Sequence, residues 1–160
     1  MKVSLNWLNK YISVDLSPEE IADKLTSLGL EATYQIHGKS FQDVVLGKVI
    51  ECRQHDNADK LSVCEVDIGE KNNYTIVCGA PNIKSDIIVP VAKVGSLLQN
   101  GEFKIKKTKI RGVESNGMIC SGKELGINND HDGIMIIKSD AKLGTPFEKI
   151  IKLNNDVFFE

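Results

Sequence analysis

The sequence predicts a mainly β protein: a small barrel of five or more short strands joined to an α+β region at the amino terminus. Two observations carry this. From about Phe41 the apolar residues recur with a period of two, in short runs separated by turn-rich stretches. No helical pattern lies between those runs, which favours a small barrel over a parallel α/β sheet.

Before Phe41 the pattern is helical. Ser17-Pro18-Glu19-Glu20 is a helix start: Ser17 can accept from the Glu20 backbone and Glu20 can reach back. Pro18 occupies the first helical position, where its missing N–H is harmless. Ile21, Leu25 and Leu28 form the apolar stripe, and Gly29 ends the helix in a left-handed cap. A shorter turn is expected over 4–11, with Leu5, Leu8 and Ile12 inward, and a strand within 31–37. Beyond Phe41 the expected strands are 44–52, 61–68, 74–78 and 87–94, followed by shorter ones at 104–110, 117–120 and 133–137. In Phe103-Lys104-Ile105-Lys106 the apolar residues are odd-numbered, but Ile110 is even. The inward face therefore switches between Lys106 and Lys107, as a bulge or a barrel corner would make it.

With 160 residues, 41% of them hydrophobic, the chain can bury a real core. Its 20 basic and 22 acidic residues leave a net charge of −2, so any attraction for nucleic acid must be local. No apolar run approaches the roughly 18 residues of a membrane span, so no membrane partner is expected. Asn6, Asn9 and Lys10 interrupt what would be a signal-peptide core. Cys52, Cys64, Cys78 and Cys120 lack the spacing of a zinc or redox pair and read as buried thiols in a reducing compartment. Cys64 shares parity with Val66 and Ile68 on an inward strand face.

Local charge does appear. Lys104, Lys106, Lys107, Lys109 and Arg111 fall within eight residues with no acid among them. On a strand they form a ridge that could follow a phosphate backbone, although lysines also guard sheet edges. Asn57 and Asp59 can fix the turn between two strands, while His55 and Asn57 could meet a base or ribose. Arg111 offers a forked cation, and Ser115 and Asn116 offer exposed hydrogen-bonding groups. Aromatic platforms are scarce, with only Tyr74 and Phe103 in the barrel strands, which suggests shape-based contact with folded RNA. The three histidines have no metal spacing, no phosphate-binding glycine loop is present, and Asp130-His131-Asp132-Gly133 reads as a turn.

Three segments in this order carry a resemblance: His55-Asp56-Asn57-Ala58-Asp59-Lys60-Leu61, Cys78-Gly79-Ala80-Pro81-Asn82, and Ile110-Arg111-Gly112-Val113-Glu114-Ser115-Asn116-Gly117-Met118. Together they resemble the tRNA-binding OB-type domain attached to several aminoacyl-tRNA synthetases. Gly122-Lys123-Glu124-Leu125-Gly126 and Val3-Ser4-Leu5-Asn6-Trp7-Leu8 are similar to the start of the bacterial phenylalanyl-tRNA synthetase beta chain. The family usually has proline after the histidine, where this chain has Asp56.

The resemblance implies an OB-fold tRNA-binding domain over 41–150. That domain would be inserted in a partial α+β domain formed by 1–40 and 151–160, with the chain stopping inside a strand pattern. It implies tRNA contacts at His55, Asn57, Lys60 and Asn82, along the cation run, and at Ser115 and Asn116. It further implies a cytoplasmic ligase of protein biosynthesis, built of two alpha and two beta chains and using ATP and magnesium. No catalytic site, cofactor or metal is expected within these residues. The alternatives are a stand-alone tRNA-binding chaperone, dimeric through its barrel, and a scaffold that touches RNA little.

Overall fold

Alternation from Val44 onward produces long antiparallel strands. The computed structural model describes residues 2–38, 41–98, 101–130, 132–151 and 155–160. In chain order the elements are β1 (Val3–Ser4), α1 (Leu5–Leu8), α2 (Pro18–Ser27), β2 (Tyr34–His37), β3 (Val44–His55), β4 (Ala58–Asp67), β5 (Tyr74–Cys78), β6 (Ile88–Lys93), β7 (Leu97–Leu98), β8 (Phe103–Lys104), β9 (Thr108–Ile110), β10 (Val113–Ser115), β11 (Gly117–Ile119), α3 (Phe147–Ile150) and β12 (Asp156–Phe159). They fall into two units, Met1–Lys39 with Leu153–Glu160, and Ser40–Lys152.

In the larger unit five strands pair antiparallel in the order β11-β6-β3-β4-β5. The sheet nearly closes into a barrel, because the Asn116 N–H donates to the Thr75 carbonyl at 2.9 Å across the gap between β5 and β11. Inward residues of successive strands form the core: Val45, Val49, Cys64, Val66, Ile68, Ile76, Val89, Val91 and Ile119 are all buried. Cys64, Val66 and Ile68 share the inward face that their parity predicts. A side chain at Gly47 would sit 2.7 Å from Val91 Cγ2 and 3.0 Å from Val66 Cγ1, so the strands could not approach as they do. Register shifts between Val49 and Glu51, and between Gln54 and His55, bend β3 and turn Ile50 outward.

Several expectations are corrected. Residues 133–137 form no strand; isolated hydrogen bonds tie them to the barrel, with the Met135 and Ile137 N–H groups donating to the Cys120 and Ile88 carbonyls. The strand expected over 104–110 is split into β8 and β9, with buried Ile105 between them. That break falls where the parity changes. Residue 131 lies outside the described residues, so the turn read there has no structural description.

A second buried layer was not foreseen. Val44 and Leu46 point away from the barrel interior yet are fully buried. The segment leading into α3 closes over them: the Leu46 N–H donates to the Thr145 carbonyl at 2.9 Å, and the Gly144 N–H donates to the Leu46 carbonyl at 2.8 Å. Phe147 is buried there, edge-on to Phe41 with ring centroids 5.1 Å apart.

The four cysteines are free thiols. Cys52 and Cys64 face each other across β3 and β4, sulfur to sulfur at 3.6 Å. Burial pushes the Cys64, Cys78 and Cys120 thiols above their ordinary range, and the Cys52 thiol adds to the effect on Cys64. In the folded protein, half-buried Cys52 should react with a thiol reagent first, and the other three only as fast as the barrel opens. Four equivalents should titrate after unfolding. Fast labelling of Cys64 in the native state would contradict the packing.

The smaller unit is a three-stranded antiparallel sheet in the order β1-β12-β2. Asp156 on β12 accepts from the Ser4 hydroxyl and from the Asn6 and Val157 N–H groups, which fixes the start of α1. At α2 the capping box forms as read: Ser17 Oγ accepts from the Glu20 N–H, and Glu20 accepts from the Ser17 N–H. The apolar stripe does not fully form, since Leu28 is 78% exposed and Ala22 is the buried residue. Ile12, expected inward, is 55% exposed.

Candidate nucleic-acid interface

Strand order decides which connections meet. In the barrel, β3 and β4 are the first and second strands, and β6 and β11 are the fourth and fifth. In five-stranded Greek-key barrels these two connections border the surface that takes oligonucleotides. Here the first is only Asp56-Asn57, because β3 runs on to His55 and β4 starts at Ala58. The second, residues 94–116, contains two hairpins, β7–β8 and β9–β10.

His55 joins the two connections. It is 2% exposed, its Nε2 lies 3.1 Å from the Ile110 carbonyl, and its Nδ1 accepts from the Asn57 N–H at 3.0 Å. These partners assign the proton to Nε2. The ring is a clamp inside the protein and presents no face for stacking. The turn is also held by Gln54, whose Nε2 donates to the Asp59 carbonyl at 3.0 Å. The side chains of Asn57 and Asp59 were expected to hold it; the ring and Gln54 do so instead.

Arg111 makes the second tie, donating from Nη1 to the Asn57 carbonyl at 3.2 Å. Arg111 and Gly112 form the two-residue turn between Ile110 and Val113, with φ of 46° and 97°. Positive φ at both positions marks a type I′ turn, which favours asparagine and glycine. Arginine in the left-handed region costs about 1–2 kcal/mol. Arg111→Asn should relieve that strain and, after loss of the tie to Asn57, leave the fold more stable by about 0.5 kcal/mol. Urea denaturation checks this; a clear loss of stability would show that the tie outweighs the strain.

The cations are exposed: Lys104 on β8, Lys106 and Lys107 between the hairpins, Lys109 on β9, and Arg111 at the turn. The hairpin brings in an acid that the linear run lacks. Glu114 lies opposite Lys109, and Lys107 Nζ is 2.9 Å from its carboxylate. The hydrogen bond from Lys107 holds the Glu114 carboxyl below its usual range. Lys60 and Asn57 are exposed beside Arg111, lining a hollow of about 480 Å³.

The remaining candidates divide. Ser115, expected exposed, is 3% exposed; its Oγ accepts from the Val77 N–H and donates to the Gly117 carbonyl, each at 3.1 Å. It helps to close the barrel. Asn116 is half-buried beside it. The Asn82 carboxamide both donates to the Ile134 carbonyl and accepts from its N–H, each at 2.9 Å, which secures the 133–137 segment. The structure thus brings His55, Asn57 and Lys60 together with Arg111, the last cation of the run, with His55 as internal support.

No helix among the described residues is long and apolar enough to cross a membrane. Among the described residues no group of three or more His, Cys, Asp or Glu side chains could hold a metal ion.

The chain is 47% identical over 157 residues to the phenylalanine–tRNA ligase beta subunit of Trichormus variabilis, covering 97% of this chain and 19% of that protein. It is 48% identical over 162 residues to the same subunit of Synechocystis, covering 100% of this chain and 20% of that protein. The chain thus spans about a fifth of the length of these relatives. Among solved structures, a MetRS related protein from Pyrococcus horikoshii aligns with a TM-score of 0.48 at 22% identity, over 66% of this chain and 87% of that one. The putative tRNA binding domain family matches residues 44–146, nearly the whole of the larger unit, and the chain belongs to that family.

Proposed function

We propose that this chain is the tRNA-contacting amino-terminal part of a phenylalanine–tRNA ligase beta subunit, acting in the cytoplasm in protein biosynthesis. Residues 41–150 would be the tRNA-binding domain, inserted in a small domain to which 1–40 and 151–160 belong. Its partners would be phenylalanine tRNA and the ligase alpha chain, in an assembly of two alpha and two beta chains. ATP and magnesium would serve the aminoacylation step on parts of the ligase outside this chain. The contribution here is electrostatic positioning, not chemistry.

One observation carries the reading: the connection between the first two barrel strands and that between the last two are clamped together by His55 and Arg111, and the second presents the chain's densest run of cations. Lys104, Lys106, Lys109, Arg111 and Lys60 would contact phosphates, and Asn57 and Asn116 would add polar contacts at the rim. His55, Ser115 and Asn82 would act indirectly, by holding the surface in shape. Lys107 would contribute least while paired with Glu114. That pairing favours a second reading, in which the barrel is mainly a scaffold.

Electrophoretic mobility shift with phenylalanine tRNA at low salt separates the two readings. Binding that weakens on charge-neutralising substitution of the cation run supports the first. An unshifted tRNA supports the scaffold.

A further inference from the structure

We propose that the groove beside β5 holds one unpaired nucleobase, stacked on Phe103. This rests on the RNA-contact reading above and deepens it, by naming a single-stranded nucleotide as the ligand of one defined place. The groove measures about 540 Å³, within the roughly 300–1,000 Å³ typical of ligand pockets. Val77, Ile105 and Met118 give it an apolar floor, while Lys104 and Lys106 stand on its rim.

Phe103 is 50% exposed although it lies beside the buried Ile105. The ring pairs among the described residues involve other aromatics, so no described ring covers its face. An exposed aromatic over an apolar floor favours a flat apolar surface, and rim lysines favour a negative charge a few ångströms from it. A nucleotide carries both, with its base in the groove and its phosphates outside. Glu102 also borders the groove and would disfavour a phosphate on its own side, leaving the path past Lys104 and Lys106. A single platform suits one flipped-out base and does not suit a tracked strand.

The test uses the full chain with a single-stranded RNA oligonucleotide carrying 2-aminopurine, and a blunt RNA duplex of equal length for comparison. The parent should quench the 2-aminopurine on binding. Phe103→Leu should abolish the quench and weaken single-strand binding about 5- to 100-fold, leaving duplex affinity unchanged. Phe103→Trp should keep the affinity, and its own emission should fall as the oligonucleotide binds.

Single-strand affinity and quenching that survive Phe103→Leu would overturn the groove assignment while leaving tRNA contact intact. An equal loss of duplex binding would overturn it too, by marking a general effect on the surface. So would displacement of the oligonucleotide by a glutamate-rich apolar peptide that Phe103→Leu abolishes. A parent that binds no RNA at low salt would remove the underlying reading and the groove with it.

Discussion

Phe147→Ala is expected to lower the unfolding free energy by about 3–5 kcal/mol, as loss of a fully buried aromatic generally does. Phe147 is 1% exposed and packs edge-on to Phe41, outside the barrel interior. Its helix has only four residues and its amino-terminal cap makes no side-chain hydrogen bond. Propensity therefore cannot hold the element in place, and burial must. The loss would be a large share of the roughly 5–15 kcal/mol that domains of this size possess. Urea denaturation followed by far-ultraviolet circular dichroism would measure it. A change below about 1 kcal/mol would place Phe147 outside the cooperative core.

Combined replacement of Lys104, Lys106, Lys109 and Arg111 by glutamine is expected to weaken tRNA binding about 10²- to 10³-fold at 0.1 M salt. Removing four cations takes the formal net charge from −2 to −6. A charge-matched control at exposed lysines elsewhere, Lys71, Lys84 and Lys138 on other connections and Lys149 on α3, should cost much less. Equal losses in both variants would mean that net charge alone governs binding, and the clamped face would have no special role. Lys107 is left in place because its pairing with Glu114 makes its contribution the hardest to interpret.

Strand parity was legible because one face of each strand is buried, and a residue on the wrong face would be costly. Cys64, Val66 and Ile68 illustrate this, as does the break between β8 and β9, which spans the parity change between Lys106 and Lys107. The capping box at Ser17 was legible because it is a local contact. Leu28 and Ile12 misled because helical spacing names a face without saying whether anything covers it. Phe147 was not legible, since one aromatic after a proline has no period.

The site divides along the same line. The cations were visible as a run, but their neutraliser was not, because Glu114 reaches Lys107 through the hairpin. A signal existed in Arg111-Gly112: a two-residue turn there sets Lys109 opposite Glu114. His55 and Ser115 looked like surface groups because their types often are. Only the long-range bonds to Ile110 and Val77 make them internal.

The central claim is that this chain meets tRNA electrostatically through the surface clamped by His55 and Arg111. The most direct measurement is the dissociation constant for phenylalanine tRNA at several salt concentrations. With about three to five phosphates contacted, the logarithm of affinity should fall with the logarithm of salt at a slope of roughly −2 to −4. The four-residue glutamine variant should flatten that slope to about −1 or less. A salt-independent affinity, or no detectable binding even at low salt, would contradict the account.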